Sequence, residues 1–293
     1  MILLDGKLAS SSVKETLKKE VEIITANNKR APHLVAILIG NNGASETYVA
    51  SKIRSCKEVG FTSTLIRFDD TVEKNILLQK IIELNNNDEI DGILVQLPLP
   101  KHINETTVIQ TIHPDKDVDG FHPINAGKLV QGLPTLIPAT PYGVMLLFDY
   151  FNIDTKGKHA VIIGRSNIVG RPLSILLSSN LLHGNSTVTL CHSSTKNLKE
   201  LCLQADIVVA AIGKPEFVTA EMVKQGAVVI DVGITRVDDA TKKSGYRLKG
   251  DVKFDEVATK ASAITPVPGG VGLMTIAGLL KNTLQVYKMK MIN

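Results

Sequence analysis

A phenol and an ammonium group stand four residues apart at Tyr48 and Lys52. Residues 44–59 have the pattern of a helix, so this spacing places both side chains on one helical face. A lysine in such a pair can accept and return a proton if the surrounding protein partly withdraws it from water. An exposed surface pair is the alternative, and it is the commoner origin of an arbitrary Tyr-x-x-x-Lys spacing.

Two further polar residues in the first half stand where ligands bind in α/β domains. Gln96 lies at the end of the apolar run 92–97, and the carboxyl end of a buried strand is a usual ligand-binding edge. An amide that satisfies loop backbone is an equally good interpretation of Gln96. Asp119 precedes Gly120 in a carboxylate-rich turn, where it could bind an amino-substituted heterocycle or cap the turn.

The second half carries a candidate phosphate-binding loop. The apolar run 159–163 leads into a loop with Gly164 and Gly170, and a helical pattern follows. A strand, a glycine turn and a helix in this order let backbone N–H groups and a helix N-terminus face a phosphate. The two glycines do not match G-x-G-x-x-G, so a plain strand-to-helix turn is the alternative. The further βαβ units that follow favour a dinucleotide site.

The next predicted strand end bears on which dinucleotide would bind. A carboxylate about 20 residues after the glycine loop usually binds the ribose 2′-hydroxyl of NAD. Residues 190–195 contain hydroxyl side chains and no carboxylate. Together with Arg165 they suit a 2′-phosphate, so the sequence favours NADP over NAD. The later strand end at 231–234 could meet the nicotinamide with backbone groups, or could be a buried strand end without a ligand.

The elements that would hold these residues alternate between helix and strand, which predicts mostly parallel sheets covered by helices. The predicted helices are 7–29, 44–59, 72–85, 141–151, 171–181, 197–203, 219–225 and 275–289. The predicted strands are 34–39, 62–68, 92–97, 159–163, 187–191, 206–211 and 227–232. The segment 98–141 is rich in Pro, Gly, His and Asp, which predicts loops with one short helix.

Length and composition indicate a globular protein of two domains, since 293 residues can bury two separate cores. The net charge of +4 is spread without a basic run, so we expect no nucleic-acid partner. We expect no membrane partner, because no apolar run approaches the roughly 18 residues that span a bilayer. No signal peptide is visible, and Cys56, Cys191 and Cys202 form no C-x-x-C pair. These features predict a cytoplasmic protein without disulfides or a zinc site.

These segments occur together in an order that resembles one known family. The residues that carry the resemblance are Tyr48 and Lys52, Val95–Pro100, Lys116–Phe121, Gly164–Pro172 and Pro266–Thr275. The set is similar to the bifunctional methylenetetrahydrofolate dehydrogenase/methenyltetrahydrofolate cyclohydrolases and covers essentially the whole chain. Each motif is unspecific alone, whereas the combination is specific. Short-chain dehydrogenases are excluded, because their Tyr-x-x-x-Lys pair follows the glycine loop instead of preceding it.

The resemblance implies two α/β domains that flank a cleft, and a homodimer. The first would be a folate-binding catalytic domain of residues 1–146 with a returning C-terminal helix, 273–293. The second would be a Rossmann-like NADP-binding domain, 147–272. The implied reactions of one-carbon metabolism are oxidation of 5,10-methylenetetrahydrofolate by NADP and hydrolysis of the methenyl product to 10-formyltetrahydrofolate. A monofunctional dehydrogenase and a non-catalytic NADP-binding protein of the same fold are the alternatives.

Residue roles follow from the resemblance as well. Lys52 would be the acid/base of the hydrolysis, and Gln96 would adjust its protonation. Tyr48 would stack on the folate and orient it, and Asp119 would bind the pterin amino group. The other implied substrate-binding residues are Val95, Leu97, Pro98, Pro268, Gly269 and Gly270. The implied cofactor-binding residues are Gly164, Arg165, Ser166, Ser193 and Ile234, and no metal site is implied.

Three positions depart from the pattern common in the family. Leu273 stands where a proline is common, and Ala139 and Tyr142 replace a frequent cysteine and a basic residue. None of the three removes a proposed catalytic group. They bear on the rigidity of a loop and on affinity for the acidic folate tail.

Overall fold

The computed structural model describes residues 1–242 and 245–292, which divide into two compact units. One unit consists of residues 11–139 and 276–293, and is called the 11–139 unit below. The other consists of residues 1–10 and 140–275, and is called the 140–275 unit. The domain boundaries inferred from the sequence, at 146/147 and 272/273, stay a prediction.

Helices and strands alternate along the chain, as predicted. The helices are α1 (Gly6–Ala26), α2 (Gly43–Val59), α3 (Lys74–Asn85), α4 (Glu105–Thr111), α5 (Pro123–Val130), α6 (Ala139–Tyr150), α7 (Gly170–Ser178), α8 (Leu198–Gln204), α9 (Phe254–Val257) and α10 (Val271–Ile292). The strands are β1 (Ile2–Leu3), β2 (His33–Ile39), β3 (Thr62–Phe68), β4 (Gly92–Val95), β5 (His159–Ile163), β6 (Thr187–Cys191), β7 (Ile207–Ala210), β8 (Val228–Asp231), β9 (Thr235–Asp238), β10 (Tyr246–Lys249) and β11 (Ala263–Ile264).

The 11–139 unit contains a three-stranded parallel sheet in the order β3-β2-β4. The central strand β2 is apolar along nearly its whole length because both of its faces are covered. Leu34 and Leu38 belong to one apolar cluster and Val35 and Ile37 to another, as the alternation of a strand requires. Leu279, Leu284 and Tyr287 of α10 join the first of these clusters. The predicted return of the C-terminal helix is therefore confirmed.

The 140–275 unit contains a six-stranded parallel sheet in the order β1-β11-β8-β7-β5-β6. The chain passes from β5 to β6 on one side and then returns to place β7 on the other side of β5. This reversal creates a topological switch point at the carboxyl ends of β5 and β7, where dinucleotides bind in doubly wound sheets. The predicted Rossmann-like organisation is confirmed.

Several elements differ from the sequence-based prediction. The helix predicted at 219–225 is only a 3-10 turn at Ala220–Met222. The segment 98–141 holds α4, α5 and a 3-10 turn at Pro114–Lys116, where one short helix was expected. The hairpin of β9 and β10 and the two-residue strands β1 and β11 were not predicted. Two residues are too few to show the alternation by which a strand is recognised.

The described chain offers neither a membrane span nor a metal cluster. Among residues 1–242 and 245–292, no helix combines the length and apolar character that crossing a bilayer requires. The same residues contain no group of three or more His, Cys, Asp or Glu side chains that could hold a metal ion. Cys56, Cys191 and Cys202 are buried free thiols.

Candidate functional site

Lys52, Gln96 and Asp119 lie together in the 11–139 unit. The Lys52 Nζ donates a hydrogen bond to Gln96 Oε1 at 3.1 Å. The Gln96 side-chain nitrogen donates to the carbonyl of Leu97 at 2.7 Å, which turns the amide oxygen toward the lysine. Burial raises the pKa of Asp119 to about 6, and the positive charge of Lys52 opposes this shift. The structure thus brings together three of the predicted catalytic residues.

Helix α2 holds Lys52 below the surface. Asn42 caps the start of the helix, because its Oδ1 accepts hydrogen bonds from two first-turn N–H groups at 3.0 and 3.1 Å. Gly60 caps its end with a φ of 82°. Lys52 is 6% exposed, and within the described chain no carboxylate oxygen lies within 4.0 Å of its Nζ. The amine therefore faces an amide oxygen and is not held in an ion pair.

The other predicted folate-binding residues of this unit surround the same strand end. Tyr48 is half-buried on α2, one turn before Lys52. Val95 ends β4 and is buried. Leu97 and Pro98 follow it and reach the surface. The lysine helix and the carboxyl end of β4 therefore form one candidate substrate surface.

Helix α10 fixes the segment that carries Asp119. The side-chain nitrogen of Asn282 donates to the carbonyls of Val118 and Ile137, both at 2.8 Å. Gly120 has a φ of 74°, and a Cβ there would lie 2.6 Å from the Ile137 carbonyl carbon. Sequence reasoning missed Asn282. Its signal is an amide among the apolar residues of a helix, because the N–H groups of a buried amide require acceptors.

The glycine loop of the 140–275 unit is shaped by close backbone contacts. Gly164 has a φ of 118°, and a Cβ there would lie 2.2 Å from the Ala211 carbonyl oxygen. A Cβ on Gly170 would lie 1.9 Å from the Gly164 carbonyl oxygen. Ser166 Oγ accepts a hydrogen bond from the Gly170 N–H at 3.4 Å, which closes the loop at the start of α7. Arg165 and Ser166 are exposed, so the loop offers a polar cradle at a helix N-terminus that fits a diphosphate.

Arg165 and Ser193 lie at the carboxyl ends of two neighbouring strands, β5 and β6. The turn with Ser193 is closed by its own residues, because the His192 N–H donates to Thr195 Oγ1 at 2.8 Å. The Ser193 side chain is exposed. Ile234 follows β8 on the opposite side of β5 in the sheet. The predicted cofactor-binding residues therefore spread over the carboxyl edge of a single sheet.

The turn at Pro268, Gly269 and Gly270 precedes α10 in the 140–275 unit. The Gly6 N–H donates to the Gly269 carbonyl at 2.8 Å. Gly269 has a φ of 108°, and a Cβ on Gly270 would lie 2.5 Å from the Pro266 carbonyl oxygen. The backbone conformation therefore requires glycine at 269, and close packing requires it at 270. A role of this turn in substrate binding stays a prediction.

Comparison with known proteins agrees with this geometry. Residues 4–119 match the catalytic domain of tetrahydrofolate dehydrogenase/cyclohydrolase, and residues 138–291 match its NAD(P)-binding domain. The bifunctional protein FolD of Cytophaga hutchinsonii is 61% identical over 290 residues, which cover 99% of this chain and 100% of that protein.

Two solved structures are similar over nearly their whole length. The bifunctional FolD enzyme from Campylobacter jejuni is 47% identical, with a TM-score of 0.92 and 99% of each chain covered. The Trypanosoma brucei methylenetetrahydrofolate dehydrogenase-cyclohydrolase, solved with NADP cofactor and inhibitor, is 37% identical with a TM-score of 0.94. That match covers 99% of this chain and 98% of the other. The chain therefore belongs to the tetrahydrofolate dehydrogenase/cyclohydrolase family.

Proposed function

We propose that the protein oxidises 5,10-methylenetetrahydrofolate with NADP and hydrolyses the methenyl product to 10-formyltetrahydrofolate. The observation that carries the proposal is the buried Lys52 amine, 3.1 Å from Gln96 Oε1 and close enough to Asp119 to influence its ionisation. Family membership and the names of the relatives support it. The intact Lys52, Gln96 and Asp119 favour the bifunctional enzyme over a dehydrogenase that releases the methenyl product.

The oxidation needs positioning more than proton transfer. Hydride leaves a carbon bonded to two nitrogens, so the folate itself stabilises the cation that forms. Bound NADP supplies the hydride acceptor. The protein contributes by holding the folate in one orientation, with the Tyr48 ring stacked on it. The Asp119 carboxylate accepts hydrogen bonds from the pterin amino group.

The hydrolysis needs a group that moves protons. The water oxygen bonds to the methenyl carbon, and the Lys52 Nζ accepts a proton from that water. The bond from that carbon to N5 then breaks while N5 takes a proton, which leaves the formyl group on N10. One water proton ends on N5 and the other is released. Gln96 Oε1 orients the lysine through this cycle by accepting its N–H.

We propose NADP as the cofactor in preference to NAD. The guanidinium of Arg165 and the hydroxyl of Ser193 lie exposed at the ends of adjacent strands, and residues 192–197 contain no carboxylate. A 2′-phosphate is bound by such cationic and hydroxyl groups, whereas a ribose 2′-hydroxyl is usually bound by a carboxylate. The cradle of Gly164 and Ser166 would hold the diphosphate, and Ile234 would contact the nicotinamide.

One assay tests the proposed function. The purified protein is mixed with methylenetetrahydrofolate and either NADP or NAD, while reduced nicotinamide and folate products are measured separately. We expect reduction of NADP in preference to NAD, and 10-formyltetrahydrofolate as the final product. No cofactor reduction would refute the enzyme, and accumulation of the methenyl compound would refute the hydrolase activity.

We also propose that the protein is a homodimer, as the family resemblance implies. Among the described strands, β3 pairs only with β2, so its other edge is open. Side chains of α2 and β3, including Ile53 and Leu65, line a groove beside this edge. Pairing of two copies would cover it. Sedimentation equilibrium should show a dimer that Leu65→Glu dissociates and Ile82→Glu, on α3, does not; a monomeric wild type would contradict the proposal.

A cytoplasmic location is proposed from the cysteines. Cys56, Cys191 and Cys202 are free and buried, and such thiols are typical of reducing compartments. Fractionation of the native cells should recover the protein in the cytoplasmic fraction. Recovery from the membrane or the medium would refute this.

A further inference from the structure

Two buried aspartates lie at the carboxyl edge of the six-stranded sheet, apart from the residues assigned above. Asp231 ends β8 and is 3% exposed, and Asp251 is fully buried. Asp231 Oδ1 accepts hydrogen bonds from the N–H groups of Gly233 and Asp251 at 3.1 and 2.9 Å. Its Oδ2 accepts one from Val252 at 2.9 Å. The Asp231 carboxylate thereby ties the loop after β8 to the segment that carries Asp251.

Asp251 in turn holds the loop after β7. Its Oδ2 accepts hydrogen bonds from the N–H groups of Ile212 and Gly213 at 2.7 and 3.0 Å. A Cβ on Gly233 would lie 2.2 Å from Asp251 Oδ1, so the carboxylate also packs against the loop after β8. One side chain therefore contacts the loops that follow two neighbouring strands.

The loop after β7 also touches the glycine loop. The Ala211 carbonyl oxygen lies 2.2 Å from where a Cβ of Gly164 would be. The loop 211–213 therefore meets the glycine loop at Gly164 and is joined to the loop after β8 through Asp251. A displacement of Asp251 would act directly on the loops after β7 and β8.

Burial of two carboxyl groups at this place carries a desolvation cost. Asp251 Oδ1 has no hydrogen-bond partner within the described chain. Burial raises the pKa of Asp231 to about 7, and the charge of Asp251 acts in the same direction. Buried charges of this kind are often less stabilising than apolar side chains of similar volume. A local conflict with stability is expected where function requires a fixed geometry.

We propose that Asp251, braced by Asp231, is the positioning residue for the nicotinamide half of NADP. The glycine loop after β5 takes the diphosphate, and the loop after β6 takes the adenosine ribose. The other half of the dinucleotide must then extend over β7 and β8, whose loops Asp251 joins. Asp251 acts through the Ile212 and Gly213 backbone and does not touch the cofactor. The inference rests on the proposed function.

Binding of two nucleotides to the full-length protein tests this role. NADP contains both halves, whereas adenosine 2′,5′-bisphosphate contains the adenosine half alone. Asp251→Ala removes the acceptor of two backbone N–H groups, so we expect NADP affinity to fall about 10-fold or more. Asp251→Asn keeps a neutral acceptor and should weaken NADP about threefold. Affinity for adenosine 2′,5′-bisphosphate should stay within about twofold in both variants.

Kinetics and a control complete the experiment. In the Ala variant the dehydrogenase KM for NADP should rise and its kcat should fall, while hydrolysis of added methenyltetrahydrofolate without nucleotide is unchanged. Asp255→Asn, an exposed carboxylate on α9, should behave as wild type. If the Ala variant does not fold, the Asn variant decides. Equal weakening of both nucleotides, or of neither, refutes the inference, whereas a wild type that binds no NADP refutes the proposed function.

Discussion

At the residue scale, the chemistry of the proposed hydrolysis depends on the surroundings of one amine. Lys52 is buried, yet its hydrogen-bond acceptor is the neutral Gln96 amide. An ion pair with a carboxylate would hold the ammonium form and oppose proton transfer. Asp119 is near enough to feel the lysine charge but lies outside ion-pair distance. The Lys52 amine and the Asp119 carboxyl group are thus not joined in an ion pair, which leaves each of them available for its own proposed role.

Lys52→Met should abolish hydrolysis far more than it slows hydride transfer. Methionine fills a similar volume but carries no exchangeable proton, so we expect cyclohydrolase kcat to fall by about 10²–10⁴. The dehydrogenase kcat should fall less than about tenfold, because that step needs positioning. Both rates are measured on the same preparation, with the exposed Lys74→Met of α3 as the control. Equal losses in both steps would mean that Lys52 serves binding or structure.

Asp119 should make the dehydrogenase activity depend on pH near pH 6. Its pKa is about 6 in the folded protein against 3.8 as the ordinary value, so the carboxylate acceptor is lost as pH falls through 6. We expect dehydrogenase kcat/KM for the folate to fall below that pH, since this ratio reports groups of the free enzyme. Asp119→Asn should lower kcat/KM and remove the inflection, and Asp115→Asn should retain it. An unchanged inflection in Asp119→Asn would assign it to another group.

The raised pKa of Asp119 also makes the folded protein less stable as the pH rises. Between pH 3.8 and about 6 the folded protein keeps a proton on Asp119 that the unfolded chain has released. This contribution to stability is fully present below 3.8 and is lost as pH rises through 6. Asp119 is therefore a residue that function retains at some expense of stability near neutral pH.

At the scale of elements, α10 contributes to a site formed mainly by other elements. Asn282 provides both N–H donors for the carbonyls of Val118 and Ile137, which flank the Asp119 turn. Asn282→Ala would leave the buried Val118 carbonyl and the part-buried Ile137 carbonyl without this donor. Helix α10 therefore packs on the apolar core and also holds the Asp119 turn in place.

Asn282→Ala should lower the free energy of unfolding by about 2–4 kcal/mol, because a buried unpaired group costs about 1–3 kcal/mol and the Ile137 carbonyl is only part-buried. Gln285→Ala is the matched control. Gln285 lies on the same helix as Asn282, and its side chain donates a single long hydrogen bond of 3.4 Å to the Thr135 carbonyl. We therefore expect a loss below about 1 kcal/mol. Urea unfolding measures both. Equal losses would show that the hydrogen bonds of Asn282 contribute no more to stability than that of Gln285.

The elements differ in how far sequence predicts them. Strands β2 and β5 were predicted closely because central strands are continuous apolar runs. Strands β1 and β11 were missed because two residues carry no periodicity and their pairing joins opposite ends of the chain. The predicted helix at 219–225 is mostly extended backbone and turn. There, packing of neighbouring segments overrides local pattern.

The residues of the candidate site also differ in how far sequence predicts them. Lys52 lies on a helix, Gln96 directly follows a strand and Asp119 lies in a turn. Local pattern can locate all three positions, and the structure brings them together. The sequence does not predict Asn282 and Asp251, because their hydrogen-bond partners lie far away in the sequence. A single sequence without its fold does not contain those pairings.

At the scale of the whole molecule, each unit has a core of its own. Strand β2 contributes residues to both apolar clusters of the 11–139 unit. Strands β5, β7 and β8 contribute residues to the apolar cluster of the 140–275 unit. The proposed ligands also divide between the units, with most folate-binding residues on the first and the cofactor-binding residues on the second. Ligand binding should therefore stabilise the units unequally.

Hydrogen exchange should detect this difference. NADP at 100 times its Kd should add about 2.7 kcal/mol to the opening free energy of amides that exchange only when the 140–275 unit unfolds. Amides in β5, β7 and β8 should gain this protection, and those in β2 should gain little. Adenosine without a phosphate group serves as the control ligand. Equal gains in β2 and β5 would show that the units open together.

The hydrogen bonds of Asn282 also set an order of events during synthesis. A ribosome completes residues 11–139, then the whole of the 140–275 unit, and only afterwards the last turns of α10. Until Asn282 emerges, the carbonyls beside Asp119 lack their donor. We expect a nascent chain to acquire its nucleotide cradle first and its capacity to capture folate last. A chain truncated before Asn282 would bind the cofactor while remaining unable to hold the pterin.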